Sequence, residues 1–95
     1  MPRFKAAHVR EQGQDMIIFP LDGAFDHKPD SAKAQLLREL EVRANRAGLA
    51  GGAVAVWEIG GRTRFMGPRP WHGFLRGLSL RIVLANVNQE ISWSD

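Results

Sequence analysis

The chain has 95 residues, 44% of them hydrophobic and 24% charged, with a formal net charge of +3 and no cysteine. This composition excludes a disordered chain, a disulfide scaffold, a thiolate metal site and a cysteine nucleophile; it predicts one soluble domain over 1–95, held together by packing alone. No stretch approaches the ~20 apolar residues of a spanning helix, and the charged start MPRFKAAHVREQGQD lacks the apolar core of a secretion signal, so we expect no membrane association and a cytoplasmic location.

Arg3 to Arg10 and Gln14 to Leu21 read as two strands around a turn near Gly13. The second contains Met16-Ile17-Ile18-Phe19, apolar on both faces and therefore central in a sheet. A loop rich in Asp, Gly and Pro follows, in which Asp30 or Ser31 is placed to cap a long helix over about 31–47. Leu36, Leu37, Leu40, Ala44 and Ala47 form its apolar stripe, and Gly48 is its natural stop. Glu39 and Arg43 sit four apart on its outer side, and Arg43 and Arg46 lie where the helix dipole favours cations, so these arginines need no functional explanation.

Ala53 to Ile59 reads as a strand, Gly60-Gly61 as a two-residue turn and Arg62 to Met66 as the returning strand. That register sets Ile59 opposite Arg62, Trp57 opposite Arg64 and Val56 opposite Phe65. Val54, Val56 and Phe65 then share the core face, and Trp57, Arg62 and Arg64 share the other, where an arginine can stack on the indole. Gly67-Pro68-Arg69-Pro70 breaks the strand, and Trp71, Phe74, Leu75 and Leu78 recur at helical spacing, which predicts a short second helix over about 70–77. Arg69, His72 and Arg76 fall on its other side.

Leu78, Leu80, Ile82 and Leu84 alternate with Ser79, Arg81, Val83 and Ala85, the pattern of a strand over 78–85; Asn86-Val87-Asn88 reads as a turn, and Ile91 and Trp93 could add a short edge strand. The order β-β-α-β-β-α-β predicts an α+β, two-layer sandwich with a mainly antiparallel sheet and the long helix across one face.

Charge is distributed unevenly along these elements. Residues 1–58 carry eight Lys or Arg and eight Asp or Glu, whereas 59–89 carry Arg62, Arg64, Arg69, Arg76 and Arg81 and no acid. Such a bias points to an acidic partner. The residues expected to bind it are Trp57, Arg62, Arg64, Arg69, His72 and Arg76, although Phe65, Trp71 and Phe74 are better explained as core.

Other chemistry is harder to place. Asp22, Asp26 and His27 offer donors for a divalent metal but match no defined spacing, and a turn, a solvated loop and a helix cap account for this acidic stretch. None of Ser31, Ser79 or Thr63 lies in a nucleophile-elbow context beside His8, His27 or His72, so no catalytic residue and no cofactor is assigned. GLAGG at 48–52 runs from helix to strand, the reverse of a phosphate loop.

The leading expectation is a small non-enzymatic binding domain with a basic face for an acidic partner such as a nucleic-acid backbone or another polyanion. Second is a structural or protein-interaction domain that self-associates through an edge strand or the region of Trp57 and Trp93, with the arginines as rim residues. Third is a small metal- or phosphate-handling enzyme.

Overall fold

The structure, a computed structural model that describes residues 3–92, opens with the hairpin read from the sequence. β1 (Arg3–Glu11) and β2 (Gln14–Pro20) pair antiparallel around Gln12 and Gly13, whose φ values of 50° and 78° are the left-handed ones that such a two-residue turn requires.

After a 3-10 turn at Gly23–His27 comes α1 (Asp30–Arg46), which buries Leu40 and Ala44 of its apolar stripe. Its start differs from the sequence reading. Neither Asp30 nor Ser31 caps it, because the Lys33 N–H bonds the Pro29 carbonyl at 3.0 Å and makes Pro29 the capping position, with no side-chain bond. Asp30 opens the helix instead, favoured there by the dipole and 3.9 Å from Lys33. Beyond Gly48, at φ 93°, the chain turns to Gly51, at φ 114°, where an added Cβ would strike the Asp15 carbonyl. The glycines of 48–52 therefore serve a tight connection against β2.

β3 (Gly52–Ile59) lies parallel to β2, with Ile17 opposite Ala53 and Phe19 opposite Ala55; α1 is the crossover that parallel pairing needs. β4 (Arg62–Met66) returns antiparallel from the Gly60-Gly61 turn in the register derived above: Ile59 with Arg62, Trp57 with Arg64, Val56 with Phe65. A second 3-10 turn at Arg69–Trp71 leads into α2 (His72–Leu75), the short second helix.

Residues 78–85 correct the reading of a strand. They contain α3 (Leu80–Ala85), started by Ser79, whose Oγ accepts the Ile82 N–H at 3.2 Å. A short apolar run fits either period, and here the cap decides. β5 (Gln89–Ser92) then pairs antiparallel with β1, placing Ile91 opposite Phe4. The tail strand thus forms; Trp93, the other residue of that reading, lies outside the described residues. The sheet has five strands in the order β4-β3-β2-β1-β5, so β4 and β5 are its edges.

The two-layer arrangement is also corrected, because both faces of the sheet are covered. On one, Ala6, Ile17, Phe19, Ala53 and Ile91 pack with Leu40 and Ala44 of α1, and this layer continues through Ala55, Trp57 and Phe25. On the other, Ala7, Met16, Ile18, Val54 and Val56 pack with Leu75 and Val83 from the second helical layer. Burying each large aliphatic or aromatic side chain contributes roughly 1.5–3 kcal/mol, which gives a reason for apolar residues on both faces of β2 and β3 to recruit two layers.

Candidate functional site

β4 carries the first two arginines of the basic third, and its position at the sheet edge exposes both. Alternation puts Arg62, Arg64 and Met66 on the α1 side, and Thr63 and Phe65 on the α2 and α3 side, where Phe65 joins the second core.

The backbone of β4 has a definite outward side. Gly60 and Gly61 have φ of 58° and 78°, so the turn is a two-residue hairpin loop of the I′ kind, whose flanking residues form a hydrogen-bonded pair. Bonded and non-bonded pairs alternate from there, which makes Arg62, Arg64 and Met66 the residues bonded to β3. Independent support comes from Val56: its carbonyl accepts the Leu21 N–H at 2.8 Å, pointing away from its β4 neighbour Phe65. Thr63 and Phe65 accordingly turn their N–H and C=O groups away from the sheet, and no other described residue hydrogen-bonds to them.

On the α1 side, Trp57 is not the open platform that sequence alternation predicts. It is 3% exposed, set edge-on to Phe25 with ring centroids 4.8 Å apart and covered in part by Leu36 and Leu37. Its indole N–H donates to Asp26 Oδ1 at 3.0 Å, and Arg64 Nη1 lies 3.6 Å from the same oxygen. Lys33 Nζ stands 5.5 Å from the Trp57 ring centroid. The Trp57 hydrogen bond holds the Asp26 carboxyl below its ordinary pKa; partial burial opposes this, and Arg64, Lys33 and His27 reinforce it. Cross-strand stacking thus gives way to a small network that ties the 3-10 turn to β3 and β4.

That network also engages one of the metal candidates. Asp26 faces Trp57 and Arg64, while Asp22 Oδ1 accepts the Ala24 N–H at 2.8 Å and caps the 3-10 turn. Among the described residues no three His, Asp or Glu side chains gather to hold a metal ion. Four of the six histidines and hydroxyls weighed for catalysis bond to backbone: His8 Nε2 to the Ala50 carbonyl, His72 Nε2 to the Gly67 carbonyl, Thr63 Oγ1 to the Leu80 N–H and Ser79 Oγ to the Ile82 N–H.

The Pro-rich turn carries the arginines to different parts of the surface. Arg62 and Arg64 stand on the α1 side, whereas His72 and Arg76 belong to the segment that covers the opposite face, with the His72 ring 5.1 Å from the Phe65 ring. Arg69 sits in the turn that links the two groups. Arg81 stands on α3, which starts against β4 on the face opposite Arg62 and Arg64, a placement that a strand at 78–85 did not suggest. The Leu80 N–H donates to Thr63 Oγ1 at 3.3 Å, so α3 begins against the Thr63 face of β4, and Arg81 follows Leu80 in the chain. All five arginines are exposed, and among the described residues Arg62, Arg69, Arg76 and Arg81 have no side-chain hydrogen bond or ion pair.

An open groove of about 870 Å³ lies elsewhere, between the β1–β2 turn and Pro68, Pro70, Trp71 and Phe74. None of the five arginines lines it. Comparison with protein-family models, with curated proteins and with solved structures finds no match to this chain.

Proposed function

We propose that the chain is a non-enzymatic binding domain whose basic surface holds an acidic partner. The observation that carries this reading is the set of exposed arginines at 62, 69, 76 and 81, none with a side-chain partner among the described residues, in a third of the chain that contains no acid. Arg64 adds to them, partly balanced by Asp26. Uncompensated guanidinium groups raise the local concentration of anions and match carboxylate or phosphate in a fork geometry.

Self-association is the weaker reading. Ile82 and Leu84 are 46% and 54% exposed but stand two residues apart on α3, about 200° around the helix, so they form no common apolar patch.

The test is a titration of isotope-labelled protein with poly-glutamate and with a short oligonucleotide at low and moderate salt, followed by amide shifts. Salt-sensitive shifts around Arg62, Arg64 and Arg81 with at least one polyanion are expected. No shift with either at low salt would reject the reading.

A further inference from the structure

We infer that the acidic partner is an extended polypeptide segment that adds to the sheet as an antiparallel strand along β4, an inference that rests on the basic-surface reading above. Two features coincide at this edge. Thr63 and Phe65 present two N–H donors and two carbonyl acceptors outward, the template on which an added strand forms. Arg62 and Arg64 flank those groups on one face, the side of β4 opposite the Thr63 hydroxyl that accepts the Leu80 N–H.

Charge selects the occupant. If a second copy paired through its own β4 in the register that uses both outward residues of each strand, Thr63 would face Phe65 and Arg64 would stand opposite Arg64. Like charges directly opposite one another disfavour that pairing. An incoming strand with acidic side chains opposite Arg62 and Arg64 replaces the repulsion with two cross-strand ion pairs. Alternation also sets the pattern of that strand: acidic residues at every second position face the arginines, and the residues between them are small or apolar, lying beside Thr63 and Phe65.

A nucleic-acid strand fits the edge less well. Trp57, the aromatic nearest the β4 arginines on their own face, is buried and its indole N–H is engaged, so it offers no surface for stacking bases. Phosphates also carry no donors for the outward carbonyls of Thr63 and Phe65.

The test uses the whole chain and three synthetic peptides of alternating Glu and Val. One is unmodified, one is N-methylated at its valines and one at its glutamates. In the antiparallel arrangement the residues opposite Thr63 and Phe65 are the valines, and their N–H groups point at β4, whereas the glutamate N–H groups point away. The unmodified and glutamate-methylated peptides are expected to bind alike and to slow amide exchange at Thr63 and Phe65. Methylation at valine removes donors without changing charge and is expected to weaken binding roughly tenfold or more. Equal binding by all three peptides would overturn strand addition and leave the acidic-partner reading standing. Binding of the oligonucleotide without binding of any peptide would also overturn it, in favour of a nucleic acid. If no polyanion and no peptide bound, both readings would fall.

Discussion

Asp26 shows how one residue changes the meaning of its neighbours. From the sequence it is a loop carboxylate and a candidate metal ligand; in the fold it accepts the Trp57 indole N–H and lies beside Arg64. Because its folded pKa is lowered, Asp26 stabilises the native state above the ordinary aspartate pKa, and the contribution is lost as pH falls through the folded value, below about pH 4. Asp26→Asn keeps an acceptor for the indole and removes the charge. Urea midpoints measured at about pH 7 and about pH 3 are expected to converge more for Asp26→Asn than for the parent. Parallel losses in the two proteins would show that Asp26 does not carry the acid sensitivity. The Trp57 and Arg64 pairing was legible from Gly60-Gly61, which set the register. The burial of Trp57 was not, since it depends on Phe25 and α1, which precede it in the chain and meet it only in the folded state.

At the scale of elements, the two hairpins and α1 were legible because each carries its own signal: glycine at turns needing positive φ, and an apolar stripe ended by Gly48. The strand expected at 78–85 failed because six or eight apolar and small residues satisfy two periods at once. Ser79 settles the matter locally, and Val83 settles it by packing against the sheet. Ser79→Ala is expected to cost about 1 kcal/mol, the usual loss for a capping hydroxyl, read as a lower denaturation midpoint. A change within a few tenths would mean that packing of Val83 alone holds α3. The helix has a consequence for the surface as well, since it puts Arg81 on a helix that starts against the Thr63 face of β4 instead of on a sixth strand.

For the molecule as a whole, the β4 edge leads to a statement about assembly. Arginine opposite arginine disfavours pairing of two copies through β4, so sedimentation of the free chain is expected to give a single-chain mass across a wide concentration range, and Arg62→Glu with Arg64→Glu should fold while losing affinity for acidic ligands. A mass that rises with concentration would favour self-association. By itself the amino-acid sequence determined the local elements, the register of the β3–β4 hairpin and the concentration of positive charge in residues 59–89, because turns, periodicity and composition are properties of neighbouring residues. Only the tertiary structure decided that a second helical layer covers the sheet, that Trp57 is core, that the arginines divide between two faces and that Arg81 stands on a helix. Those outcomes depend on contacts between residues distant in the chain, and local pattern does not encode which face of a strand its distant partners will cover.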